Sequence, residues 1–258
     1  MPDDIAAEAA AILRGHWQAR SRLPSLPETL RPATRAEGYA IQARLVPGPT
    51  VGWKIAATNV AGQRHINVDG PLVGRYLAEM VLPDGAEVSL RGNAMLVAEP
   101  EFAFTLGRDL APRDADHTLA EVMEAVVDLR IGIEVPDSRF ADFTAAGGPQ
   151  LIADNACALL HVLGPAAADW RSLDLAAAGC LARVGTRYER EGIGANVLGD
   201  PRLALTWMVN EMTRLGTTLR AGQLVTTGTC ATPLAIEPGD DVGVDFGRLG
   251  TVRVRFVE

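Results

Sequence analysis

Glu99-Pro100-Glu101 puts two carboxylates two residues apart in a run, "MLVAEPEFAFTLG", whose composition predicts a β-strand. On a strand, residues i and i+2 point to one face with Cα atoms about 6.5–7 Å apart. Glu99 and Glu101 then project together, beside Ala103 and Thr105, while Ala98, Phe102 and Phe104 face the other way. Two such carboxylates repel unless a proton or a cation lies between them. A hard divalent ion, Mg²⁺ or Mn²⁺, suits them and asks for a further oxygen ligand. Glu134 in "LRIGIEVPDSR" is the candidate. Leu129, Ile131, Ile133 and Val135 form an apolar face, and Glu134 shares the other with Arg130 and Gly132, whose small size leaves room beside it. The same spacing also fits a solvent-facing glutamate pair and an unrelated, salt-bridged Glu134. Pro100 costs a ladder hydrogen bond, which predicts a strand edge or a bulge.

Lys54 is the second chemical signal. It is the one lysine among 24 cationic side chains, and it lies in an apolar run, "VGWKIAATN". An arginine-rich coding bias can leave one lysine by chance, and a lysine can bury its stem and wet its head. Unlike arginine, though, a desolvated lysine has a pKa that can fall toward neutrality, which suits proton transfer.

The elements that must position these residues read as follows. Ile5, Ala9, Ile12, Leu13 and Trp17 form a helical stripe with Asp3 or Asp4 near its start. A Pro-rich connector, "RLPSLPETLRPAT", leads to Thr34-Arg35-Ala36-Glu37, a capping box for a helix through about Leu45 that Pro47 and Gly48 stop. Residues 1–50 are thus a helical segment, and 51–258 a β-rich catalytic domain with inserted helices. In the latter, "TLAEVMEAVVD" reads as a helix capped by Thr118, and Asp200-Pro201 opens another through about Leu215. "GQLVTTGT", "DVGVDF" and "TVRVRFV" read as strands. Without a strict βαβ rhythm the fold class is α+β.

The bulk composition bounds the function. The chain has 258 residues, 48% hydrophobic and 22% charged, with a formal charge of −8. The arginines are scattered and make no basic stripe, which argues against a nucleic-acid partner. No apolar run approaches the roughly 20 residues that span a bilayer, and the acidic N-terminus is not a signal peptide. Cys157, Cys180 and Cys230 form no CxxC or zinc-finger spacing, so a reduced, cytoplasmic protein is expected. His16, His65, His117 and His161 are distant in sequence, and "GIGANVLG" does not match the dinucleotide fingerprint.

Taken in order, "VGWKIAATN", "AEPEFAFTLGRDL", "GIEVPDSRF", "IADNAC", "GIGANVLGDPRLALTWMVNEMTRLG", "LRAGQLVTTGT" and "PGDDVGVDFGRLGTVRVRF" resemble the 2-keto-4-pentenoate hydratase family of the fumarylacetoacetate hydrolase superfamily. The resemblance implies a mixed β-sheet roll core, like that superfamily's C-terminal domain, with an N-terminal helical part. It implies Mg²⁺ or Mn²⁺ held by Glu99, Glu101 and Glu134, with Lys54 beside the substrate as the catalytic group. By motif, Ile55, Asn155 and Thr229 are nominated for substrate binding. The implied substrate is a small 2-hydroxy-2,4-dienoate or 2-keto-4-enoate of the kind formed in aromatic-compound catabolism. A homo-oligomer is also implied, with a sister hydratase or decarboxylase as a further partner.

One position departs from the family pattern. Several hydratases carry an acid in a P-D-x-G-like segment about twenty residues after the lysine. Here the aligned residue in "VDGPLVGRYL" is Leu72, with Asp69 three residues away. Three readings therefore stand: a hydratase, a 2-oxo-3-enedioate decarboxylase of the 4-oxalocrotonate type, and a non-catalytic metal- and ligand-binding subunit. Hydrolytic C–C cleavage is disfavoured, because no clear Glu–His dyad is present.

Overall fold

Ala6, Ala9, Ala10 and Leu13 recur at helical spacing and form the buried face of α1 (Asp3–Ala19) in the computed structural model, which describes residues 1–258. Asp3 and Asp4 occupy its first turn, where they favour the helix dipole, and Pro2 takes the cap position. In α2 (Arg35–Leu45) the expected capping box is present: the Thr34 hydroxyl accepts from the Glu37 amide at 3.3 Å, and the Thr34 amide donates to Glu37 at 3.2 Å. From Gly52 the chain runs through β1 (Gly52–Ala56), α3 (Val60–His65), β2 (Leu72–Tyr76), β3 (Val81–Pro83), β4 (Ala86–Ser89), β5 (Val97–Leu106), α4 (Leu119–Ala125) and β6 (Val126–Val135). It continues as α5 (Gly148–Ala153), β7 (Leu160–Ala166), β8 (Gly179–Val184), β9 (Tyr188–Ile193), α6 (Pro201–Arg214), β10 (Leu224–Thr229), β11 (Leu234–Ala235), β12 (Asp241–Asp245) and β13 (Thr251–Val257).

The strands form two sheets. One has the order β2-β1-β10-β5-β6-β7-β3, with β11 also paired to β5; the other has the order β4-β13-β12-β8-β9. The first is mixed, because β1–β10 and β3–β7 run parallel and the other pairs antiparallel. β13 packs against β6 and β7, which joins the sheets, while α1, α2 and α5 stack on one another beside β2. A single cluster of 61 buried apolar residues takes in α1, α2 and both sheets, so the helical segment and the β-rich part share one core. No helix is long and apolar enough to cross a membrane.

Three local expectations change. Val126, Val127 and Asp128 belong to strand β6, because α4 stops at Ala125 and β-branched valines favour the extended state. Pro100 is not at a sheet edge, since β5 lies between β10 and β6. The bulge is instead in β10, whose register shifts between Thr226 and Thr229, and β11 takes over pairing at Ala98. The Pro100 carbonyl accepts from Cys230 N on that side, so the missing N–H of proline falls in the gap between β10 and β11. The third change concerns cysteines far apart in sequence: Cys180 and Cys230 meet as free thiols with sulfurs 3.3 Å apart.

A strained turn follows α5. Asn155, Ala156 and Cys157 adopt φ values of 57°, 49° and 61°, three successive left-handed residues without a glycine. Each such residue costs roughly 1–2 kcal/mol, so the surroundings must hold the turn in place. Asp154, fully buried, does so from one end. Its carboxylate accepts from Ser138 Oγ at 2.7 Å and Arg139 N at 2.9 Å, and it pairs with the Arg139 guanidinium. The side-chain amide of Asn155 adds a second hold at that end, accepting from Arg75 N at 2.7 Å and donating to Arg75 O at 2.9 Å. Gly74 lets the turn approach β2, since a Cβ there would lie 2.3 Å from the Asn155 carbonyl oxygen. Asp154→Ala strands the Arg139 charge in the core and should lower stability by about 3–5 kcal/mol, read from the denaturant midpoint. A loss below about 1 kcal/mol, within the range of an ordinary surface change, would show that this pair does not hold the turn.

Candidate active site

Strand register assembles the carboxylates. Glu99 on β5 stands directly across from Glu134 on β6, and Glu101 across from Gly132. Lys54 joins the same face from two strands away, since it pairs with Thr226 on β10 and Thr226 pairs with Ala103 on β5. Glu99, Glu101 and Glu134 each bring a carboxylate oxygen within 4.8 Å of the others. Lys54 Nζ lies 2.9 Å from Glu134 Oε1 and donates to the Ala156 carbonyl at 3.0 Å, so the strained turn supplies one of its partners. Tyr76, on the neighbouring strand, donates its hydroxyl to Glu134 Oε1 at 3.2 Å.

Burial and charge set the protonation states. Glu101 and Glu134 are fully buried and Lys54 is 2% exposed. Burial, then the Glu134 charge, pushes the Glu99 carboxyl up to about 7, and the same two causes raise Glu101 well above the carboxylate range. For Lys54 the expected fall does not occur. Burial alone lowers its pKa, but Glu134, Glu99 and Glu101 outweigh burial and hold the ammonium above the ordinary lysine value. Burial, with Lys54 nearby, lowers His161 to about 3, so its ring is neutral. Both oxygens of Glu101 and Oε2 of Glu134 have no hydrogen-bond partner. Buried carboxylate oxygens left bare are costly, and together with Glu99 these two residues make three converging carboxylates, the donor set of a hard divalent cation. The residues fit such an ion.

Beside this cluster lies a cavity of about 810 Å³ whose wall includes Lys54, Ile55, Glu99 and Thr229. Ile55 packs its side chain into the apolar core while standing on the wall. The Thr229 hydroxyl donates to the Ala231 carbonyl at 2.7 Å and accepts from the Ala231 amide at 3.3 Å, which leaves it one further lone pair. Asn155 is not on the wall: its amide is spent on the main chain of Arg75, and its neighbours Ala156 and Cys157 take the wall position. Leu72 does line the cavity. Asp69 does not replace the missing acid, because its side chain is 93% exposed and faces Arg35 at 4.0 Å.

Sequence reading missed Tyr76, Ala156, Thr226, His161 and His65. Ala156 acts through a carbonyl, which every residue has, so no side-chain pattern could reveal it. Tyr76, Thr226 and His161 reach the cluster only through cross-strand register. His65, at the end of α3, stands on the cavity wall with its ring edge-on to Phe143 at 5.9 Å.

Residues 56–257 match the family model described as fumarylacetoacetate (FAA) hydrolase C-terminal. A 2-keto-4-pentenoate hydratase of Burkholderia vietnamiensis is 36% identical, with all of both chains covered. One from Paraburkholderia xenovorans is 34% identical over 96% of this chain and 94% of its own. Among solved structures, 4-oxalocrotonate decarboxylase from Pseudomonas putida G7, complexed with magnesium and adipate, superimposes with a TM-score of 0.90. It is 23% identical and covers 100% of this chain and 99% of its own, a likeness of fold. With a matching family model over most of its length and whole-chain relatives above 30% identity, this chain belongs to the fumarylacetoacetate hydrolase C-terminal family, alongside the 2-keto-4-pentenoate hydratases.

Proposed function

We propose that this protein is a metal-dependent hydro-lyase that adds water to a small 2-hydroxy-2,4-dienoate or its 2-keto-4-enoate tautomer. One observation carries the reading: three carboxylates converge, two of them fully buried with bare oxygens, against a charged lysine at the wall of a largely apolar cavity. Glu99, Glu101 and Glu134 would hold Mg²⁺ or Mn²⁺. Bound there, the ion supplies a Lewis acid for the C2 oxygen of a 2-oxo acid and offsets part of the carboxylate field that keeps Lys54 charged.

The chain's own groups do the rest. Lys54 Nζ has three N–H donors, of which Ala156 and Glu134 take two, leaving one for the substrate. That donor binds the enol oxygen, or gives a proton to the terminal carbon while the enol O–H proton returns to Nζ, so that the dienol becomes its isomeric conjugated ketone. Water then adds across the enone C=C, hydroxyl to the far carbon and hydrogen to the carbon beside the ketone. The Thr229 hydroxyl oxygen is placed to accept from the bound acid or its water. Ile66, Leu72, Met95, Val97, Phe143 and Leu151 keep much of the remaining wall apolar.

The wall bears on the choice of reaction. Leu72 in place of an acid suits a decarboxylase, which needs no water-activating base. Yet the wall has no arginine, its lysine is already engaged with Glu134 and its one other basic side chain is His65, so no bidentate guanidinium clamp awaits a second carboxylate. This favours a monocarboxylate with an apolar or small distal end.

With Mg²⁺ present, the dienol absorbance of 2-hydroxypenta-2,4-dienoate should decay with water incorporated. The kcat/KM for 2-oxohex-3-enedioate should be lower by about tenfold or more. Faster CO₂ release from the dioate would establish the decarboxylase, and metal-dependent binding without either product would establish a binding subunit. Glu101→Gln should weaken Mn²⁺ binding and turnover together by about tenfold or more, because it removes an anionic ligand. Full metal-dependent turnover in that variant would refute the three-carboxylate site. Lys54→Arg keeps the charge but puts a rigid, wider fork between Ala156 and Glu134. Its kcat should fall by about 10²–10⁴, and a near-native kcat would remove Lys54 from the chemistry.

A further inference from the structure

His161 is the one buried histidine whose ring nitrogens have no partner. It lies on β7 directly across from Glu134, is fully buried, and neither Nδ1 nor Nε2 makes a hydrogen bond within the chain. Its ring leans along the strand over Gly132. A Cβ on Gly132 would lie 2.1 Å from Nε2 and 2.7 Å from Cε1, so the space that this glycine leaves beside Glu134 is filled by imidazole. Gly132 is itself the cross-strand partner of Glu101. The ring therefore stands over β6, next to Glu134 on that strand and over the residue that pairs with Glu101, on the face that both carboxylates share.

A fully buried ring with two bare nitrogens is costly unless something beside it needs them. What stands beside it is a set of acceptors without donors. Glu134 Oε1 is served by Lys54 and Tyr76, whereas Glu134 Oε2 and both Glu101 oxygens are bare. Tyr76, whose ring centroid is 5.8 Å from that of His161, has already committed its hydroxyl to Oε1. In either neutral tautomer an imidazole carries one N–H donor and one acceptor. His161 is not one of the three residues whose ligand atoms cluster, so it is not a fourth member of that set.

We propose that His161 is a positioning residue of the carboxylate centre: its ring N–H, directly or through one water, orients the Glu101 and Glu134 oxygens that present themselves to the divalent ion. The inference rests on the metal reading proposed above. An outer partner of this kind narrows the directions a carboxylate can sample and is worth about 10–100-fold in metal affinity.

Mn²⁺ titration followed by electron paramagnetic resonance, with thermal melts of the metal-free proteins, tests it on wild type, His161→Phe and His161→Gln. Phe fills the space without a donor, and Gln restores an N–H. His161→Phe should melt cooperatively yet bind Mn²⁺ about 10–100-fold more weakly, with Gln recovering part of the loss. A folded His161→Phe protein with wild-type Mn²⁺ affinity overturns the inference and leaves the metal reading intact. Wild type that binds no Mn²⁺ overturns the metal reading and this inference with it. Should His161→Phe fail to fold, ¹⁵N-histidine spectra of the wild type decide. Saturating Mg²⁺ should shift the His161 ring resonances, and unmoved resonances overturn the proposal.

Discussion

Everything around the site answers one electrostatic constraint: three carboxylates and a single ammonium share a buried face of a β-sheet. Moving charges out of water costs several kcal/mol each, and attraction returns that only where partners are well placed. Lys54 and Glu134 meet at 2.9 Å, which leaves a surplus of two acidic groups, Glu99 and Glu101, with no second cation. The surplus shows in the raised carboxyls of Glu99 and Glu101 and in the firmly charged Lys54. Such an arrangement weakens the metal-free fold, and a site of this kind persists where it serves function.

The fold supplies the means to hold it. A central strand, β5, carries two of the acids between β10 and β6, which fixes the backbone beneath both: Glu101 is buried and Glu99 reaches the cavity wall. The bulge in β10 accommodates the proline between them. On the opposite side of the lysine, a left-handed turn of three non-glycine residues brings one carbonyl to Nζ. The strain of that turn is balanced by a buried Asp154–Arg139 pair and by the Asn155 amide. Asn155 thus serves the site through the backbone it fastens, while the cavity wall passes to its neighbours.

Much of this was legible in residue order. Capping boxes at Thr34 and Thr118, the Asp200-Pro201 start of α6 and the alternating C-terminal strands depend on contacts within a few residues, so local pattern suffices for them. Glu99 and Glu101 share a face because a strand has period two, whatever the strand packs against. Other expectations depended on what lay across the sheet, and these moved. Burial could have lowered the proton affinity of Lys54, and its acidic neighbours turn the balance the other way. Pro100 was expected at an edge or a bulge, and the bulge proved to lie in the partner strand, which made an interior position workable. Asp69 looked near enough to replace the acid absent at Leu72, yet it points to solvent.

The sequence by itself determined the ligand chemistry: hard oxygen donors at strand spacing, a lone lysine in an apolar run, and helix starts and stops around them. Those features are carried by side-chain type and by the periods of the backbone. Only the tertiary structure decided which groups face one another. It set Glu134 opposite Glu99, His161 over Gly132, the Ala156 carbonyl against Lys54, and Leu72 on the cavity wall. The reason is physical: a proton's affinity and a hydrogen bond's partner depend on distances of a few ångströms, and those are set between strands distant in sequence.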